Sequence, residues 1–186
     1  MEIINNVINI LLTPKTEWQA IEAENAPHAK VFKTYVVMLA LIPAIAAFIG
    51  WGLIGYSAFG IHVRNIGWGL RQAIALYIAM LGGTYITAFV IDALAVNFGA
   101  TKDFNRAFSL VAYTYTPMFV GGVFYILPSL SWLASLAGLY GLYLLYIGLQ
   151  PMMKAPSDKQ TSYFVVSLIA TVAVAVVLSV VLAAVL

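Results

Sequence analysis

The sequence predicts an all-α fold, a polytopic transmembrane bundle of five helices preceded by short amphipathic helices at the membrane interface. Residues 107–153 form a run of 47 residues without Asp, Glu, Lys or Arg, interrupted near its middle by Leu127-Pro128-Ser129-Leu130-Ser131. A water-soluble domain has too much surface to leave such a stretch uncharged, whereas two bilayer-crossing helices joined by a tight turn require it. Composition agrees: 63 % of the chain is hydrophobic and 9 % charged, against roughly 25 % charged in soluble domains. The apolar residues also divide into stretches of the roughly 20 residues needed to cross about 30 Å of hydrocarbon.

The first 33 residues read as a cytoplasmic and interfacial region. Ile3, Ile4, Val7, Ile8 and Leu11 recur at helical spacing, with Asn5, Asn6 and Asn9 on the other face, the pattern of a helix lying in the interface. Thr13-Pro14 is an N-cap followed by proline at the first helical position. It starts a second helix carrying Trp18 and Ile21 among Lys15, Glu17, Glu22 and Glu24. Both helices are expected to anchor on the membrane surface. Pro14, Trp18 and Ile21 also form a candidate docking site for a cytoplasmic protein partner, because acidic residues facing an anionic leaflet do not strengthen lipid binding.

Residues 34–186 then form the transmembrane domain, with spans at about 34–55, 72–98, 107–127, 129–151 and 162–186. The second contains Asp92; the others hold no charged side chain. With the N-terminus in the cytoplasm, Lys15, Lys30, Lys33, Lys102, Arg106, Lys154 and Lys159 fall on that side and Arg64 and Arg71 on the other. This asymmetry is what the positive-inside rule expects, and five crossings leave Leu186 outside. The N-terminus lacks the basic start and small-residue cleavage site of a signal peptide, so it is expected to stay attached.

Three passages resemble the Yip family, the Ypt/Rab-interacting membrane proteins, in its bacterial-type branch. They are Leu12-Thr13-Pro14-Lys15-Thr16-Glu17-Trp18-Gln19-Ala20-Ile21, Ala112-Tyr113-Thr114-Tyr115-Thr116-Pro117, and Tyr140-Gly141-Leu142-Tyr143-Leu144-Leu145-Tyr146-Ile147-Gly148-Leu149. The resemblance implies five transmembrane helices, a cytosolic N-terminus, a C-terminus at the far face and, for this branch, residence in the bacterial inner membrane. Eukaryotic members are associated with prenylated Rab GTPases and carry a longer cytosolic region than the 33 residues here. The bacterial-type branch implies a fold and a location without a reaction.

Counting 10 or 11 residues inward from Lys33, Lys102 and Arg106 reaches Pro43, Asp92 and Pro117, at about the midplane for a 1.5 Å rise. Pro43 and Pro117 cannot donate to the carbonyls of Leu39 and Tyr113, and lipid cannot satisfy those carbonyls. Thr116, Tyr143 and Thr171 fall at similar depth, beside Tyr113, and a protonated Asp92 is a further donor. An intramembrane carboxyl is costly, so Asp92 is expected to face the bundle interior. This polar layer either closes the bonds that the prolines break or forms an ion or substrate site of the broken-helix type.

In the fourth span, Ala134 and Gly138, and Ala137 and Gly141, stand four apart, the spacing that lets another helix approach. Packing within the chain is the expected use, with a homo-oligomer as the alternative. Tyr140, Tyr143 and Tyr146 advance by three as an aromatic ridge for packing and hydrogen bonding.

The chain has no cysteine, hence no disulfide or thiolate metal site, and His28 and His62 are expected on opposite sides of the membrane. No catalytic or phosphate-binding motif appears and no aromatic-basic pattern suggests nucleic acid. No cofactor and no enzymatic activity are expected. The leading functional expectation is a membrane-organising or protein-interaction role among membrane lipids. A small proton- or cation-linked transporter or channel using Asp92 is the alternative, and lipid handling a weaker one.

Overall fold

The structure, a computed structural model, describes residues 2–58 and 61–185. The side chains of Glu2, 56–58, 61–63 and Val185 lie outside the description, and with them the imidazole of His62; so does Leu186, the expected outer terminus. The chain is an all-α polytopic bundle. Two short helices, α1 (Glu2–Leu12) and α2 (Pro14–Glu24), precede five that are long and apolar enough to cross a membrane. These are α3 (His28–Ile54), α4 (Ile66–Phe98), α5 (Phe104–Ile126), α6 (Pro128–Met153) and α7 (Gln160–Ala184). Between α3 and α4 lies a small antiparallel hairpin, β1 (Tyr56–Ala58) and β2 (Ile61–Val63).

Helix ends follow local chemistry. Asn65 Oδ1 accepts the Trp68 N–H at 2.9 Å and starts α4 earlier than the loss of charge suggests, so Arg71 lies within the helix. Asp103 Oδ1 accepts from Asn105 N at 2.9 Å and Arg106 N at 3.3 Å and starts α5. Left-handed residues end three helices, Asn25 at φ 42°, Gly99 at φ 69° and Lys154 at φ 53°, as helix C-caps commonly do. Around Pro43 the first crossing is irregular, with a turn at Ala40 and wider π-type turns at Phe32–Val36 and Phe48–Ile54. Lost i→i−4 bonds and π-turns are recognised causes of such distortion.

The core sits around α5, of whose most apolar stretch 72 % is buried, against 6 % for α7. That burial explains why α5 can carry Ser109, Tyr113, Thr114, Tyr115 and Thr116 at membrane depth: all but Tyr115 are fully buried in protein rather than exposed to lipid. Helices α3, α4 and α6 pack around it, and α7 lies outermost against α4 and α6. Close approach rests on glycine. A Cβ at Gly122 would enter the Pro43 ring of α3, one at Gly121 would strike Ala137 of α6, and one at Gly141 would lie 2.9 Å from the Thr114 carbonyl oxygen. Ala134, Ala137 and Gly141 thus face α5, whereas Gly138 meets the Met118 side chain no closer than 3.8 Å.

Because Pro43 can relax only with its backbone, Gly122→Val should separate α3 from α5 at a cost of about 1–3 kcal/mol, typical of overpacking. Thermal unfolding in detergent should show a lowered Tm, with Gly82→Ala as a control, since nothing lies within 4 Å of a Cβ at Gly82.

Candidate functional site

The N-terminal helices are seated in the bundle, which corrects their reading as surface anchors and as a docking site built on Trp18 and Ile21. Trp18 is 1 % exposed and Ile21 6 %. A Cβ on Gly148 of α6 would lie 2.7 Å from both Trp18 Cε2 and Leu110 Cδ1, so the missing side chain makes room for the indole. The ring meets Tyr113 edge-on at 6.3 Å, and its Nε1 has no partner among the described residues. Only Pro14 of the three candidates keeps partial exposure. One amphipathic pattern serves lipid and protein contact equally, and here the apolar face meets α5 and α6.

Depth follows from the partners. The Tyr140 hydroxyl donates to the Leu11 carbonyl at 2.8 Å, and Tyr140 stands 14 residues before Lys154, about 20 Å along α6. Asn6 Nδ2 donates to the Tyr113 hydroxyl at 3.2 Å, while Glu22, further along α2, reaches Lys154 and Arg106. The Thr13–Pro14 corner therefore lies alongside the spans rather than beyond their ends. Its polar groups are closed internally: Thr13 N donates to Asn9 O at 2.7 Å, and Thr13 O accepts from Glu17 N at 3.1 Å and Thr16 Oγ1 at 2.9 Å.

A charged clasp ties this unit to the helix ends. Glu22 Oε1 lies 2.8 Å from Arg106 Nη1 and 2.8 Å from Lys154 Nζ, and Arg106 Nε is 3.5 Å from Asp103 Oδ2. Hydrogen bonds from Lys154 and Arg106 hold the Glu22 carboxyl below its ordinary value, whereas burial pushes Glu17 up, opposed by a hydrogen bond from Asn9. Glu24 pairs with Lys30 at 2.8 Å. Two of the three acidic residues of α2, Glu22 and Glu24, are thus engaged with this chain's own cations. His28 joins the same end, its N and Nδ1 lying 2.9 and 2.7 Å from Asn105 Oδ1, within a cluster of Phe32, Tyr85, Phe104 and Phe108.

The polar residues expected at one depth do not form one layer. Thr116 shares a 2.7 Å hydrogen bond with Tyr35, whose ring lies 4.4 Å from that of Tyr113; Pro117 is buried beside them in sequence. Pro43 packs against Gly122, and the Tyr77 hydroxyl donates at 3.4 Å to the carbonyl of Val37, six residues earlier in α3. Thr171 donates to Ser167 O within its own helix at 2.8 Å. Tyr143 is 42 % exposed on the outer face of α6.

Asp92 is buried at 7 % exposure, as expected, but not at the centre of its helix. It stands six residues from Phe98, the end of α4. Past Gly99 the chain doubles back, Ala100 N donating to Ala95 O at 2.9 Å and Thr101 N to Met153 O at 2.7 Å. Because the residues after Gly99 fold back against the end of α4, counting depth from Lys102 overstates that of Asp92. Next to it Tyr163 donates to Ile91 O at 2.6 Å, and Asp92 Oδ1 has no partner among the described residues. Tyr35, Tyr77, Tyr163 and Glu22 are the participants that sequence reasoning missed; the signal for Glu22 was an acid on the side crowded with cations.

No group of His, Asp or Glu that could hold a metal occurs among the described residues. The architecture defines a multi-pass helical membrane protein whose most elaborate polar assembly joins its N-terminal helices to its own bundle. The chain belongs to the Yip1 family, the Yip1 domain model matching residues 8–180. It is similar to the Inner membrane protein YohC of Escherichia coli strain K12, with 29 % identity over 134 residues, 71 % of this chain and 68 % of the relative. The same values hold for YohC of Escherichia coli O6:H1 strain CFT073. No solved structure matches.

The clasp has a defined pH sense. Since Glu22 is held below its ordinary 4.5, its contribution is complete above that value and lost as pH falls through the lowered one. A spin label at Val7→Cys, on the face of α1 packed against the core and specific because the chain has no cysteine, should be immobile at neutral pH and loosen on acidification. Glu22→Gln should loosen it at neutral pH already and flatten the acid response.

Proposed function

We propose that this protein is a non-enzymatic organiser of a bacterial inner membrane, with its N-terminal helices entering the bundle from the cytoplasmic side, and that it contacts another membrane protein through the outward face of α1. The observation that carries the reading is the doubled apolar character of α1. Ile10 is fully buried against the bundle while Ile4, Ile8 and Leu12 are 65, 47 and 76 % exposed, a stripe of side chains at i, i+4 and i+8 that the chain itself leaves uncovered. Seven of the nine cations in the sequence support the orientation, and the inner-membrane location is supported by the printed name of the YohC relatives.

Replacing Ile4, Ile8 and Leu12 together by Ser should abolish a cross-linked complex with another membrane protein captured in native membranes while the five-helix core stays inserted. An undiminished complex would refute this docking role. Single cysteines replacing Arg64 and Lys102 should be labelled from opposite sides of the membrane.

A second reading, proton- or cation-linked transport, draws on the unpartnered Oδ1 of buried Asp92. Against it stands the bundle's central cavity, whose walls include Ile91 but not Asp92. Asp92→Asn should therefore preserve fold and cross-linking. Proton flux in proteoliposomes that disappears in Asp92→Asn would reverse the preference.

A further inference from the structure

Two cavities meet along α4 and α7, and together they have the layout of a lipid. The first, about 270 Å³, lies between α4, α5, α6 and α7 with almost wholly apolar walls, among them Leu76, Ile91, Phe119, Leu145 and Leu178. The second, about 480 Å³, opens at the Arg71 end of the bundle and is lined by Trp51, Trp68, Arg71 and Gln72. Leu76, Ala79 and Ser179 line both, so the polar mouth leads into the apolar slot.

The slot has the reach of a lipid tail. Leu76 and Ile91 stand 15 residues apart, about 22 Å of helix, which exceeds the roughly 15 Å of hydrocarbon in one leaflet. Its glycines behave differently from those that draw helices together. A Cβ at Gly83 would meet Leu178 Cδ1 at 3.5 Å, and one at Gly138 would meet Met118 Cγ at 3.8 Å, both ordinary contacts. These two glycines leave volume open where neighbouring spans pack backbone to backbone. Protein interiors seldom contain voids larger than a water molecule, and hydrocarbon is the solvent outside α7 at this depth.

The mouth supplies charge. Arg71 is exposed and makes no ion pair with a described residue. A guanidinium matches phosphate oxygens in a two-pronged arrangement, and Trp side chains settle at the headgroup level of a bilayer.

We propose that this composite cavity binds one anionic glycerophospholipid from the leaflet at the Arg71 end. Its phosphate sits on Arg71 between Trp51 and Trp68, and one acyl chain lies between α4 and α7 as far as Gly83 and Gly138. The site is separate from the outward face of α1 and does not depend on the partner proposed there.

The test is native mass spectrometry of the full chain, delipidated and then titrated with phosphatidylglycerol, phosphatidylcholine or palmitate at matched concentrations. One phosphatidylglycerol should be retained per chain, at least five-fold above either comparison. Arg71→Gln should remove that preference, while Arg64→Gln, at the same end but outside the cavity lining, should keep it. Gly83→Leu should fill the slot and cut retention of phosphatidylglycerol by a similar factor with an unchanged melting temperature. If that variant does not fold, Ala79→Leu, where the two cavities join, replaces it. Equal retention of the three ligands by the unmodified chain would overturn the proposal, as would Arg71→Gln binding like the parent. Failure here leaves the α1 cross-linking result untouched, so the two readings fall separately.

Discussion

Lipid tails solvate Leu and Val about as well as a neighbouring helix does, so burying apolar surface cannot by itself hold this bundle together. What remains is close backbone approach and hydrogen bonding away from water. Both converge on α5. Gly121 and Gly122 admit Ala137 and Pro43 against its backbone, and Gly141 admits the Thr114 carbonyl. Tyr35 and Thr87 supply partners for Thr116 and Tyr115, at 2.7 and 3.1 Å. The helix that carries hydroxyls at four successive positions, Tyr113 to Thr116, is also the best shielded from lipid.

The two prolines take their place in this scheme. Pro43 gives up a backbone hydrogen bond, yet its ring is the surface against which Gly122 closes. Pro117 lies next to Thr116, whose hydroxyl anchors Tyr35 and thereby brings the Tyr35 and Tyr113 rings together. Asp92 lies toward one end of the molecule, next to the Ile91 carbonyl that accepts from Tyr163 at 2.6 Å.

Charge spacing, with the uncharged Pro128-Ser129 break between α5 and α6, makes the five crossings readable because every break between them needs polar or turn-forming residues. Ends were less legible: Asn65 and Asp103 extend α4 and α5 beyond the uncharged stretches through side-chain caps. Depth counted along the sequence failed at Asp92 because a left-handed Gly99 turns the chain back on itself. Trp18 was misplaced for a different reason. Helical periodicity identifies an apolar face without saying what covers it, and the space prepared by Gly148 lies 130 residues away. The Glu22 clasp is equally remote, 84 residues separating it from Arg106. What sequence reports well is the boundary with solvent; pairings across the bundle belong to three-dimensional closure.

The seating of α1 and α2 carries a consequence for biogenesis. Synthesis delivers the amino-terminal residues first, but the hydroxyl that holds the Leu11 carbonyl belongs to Tyr140, 129 positions later. These two helices have nowhere to dock until α5 and α6 have entered the bilayer. Their amphipathic character offers a waiting place at the surface of the lipid in the meantime. A segment made before any of the five spans is thus the one that locks the finished bundle, and a chain truncated before α6 is left with that latch open.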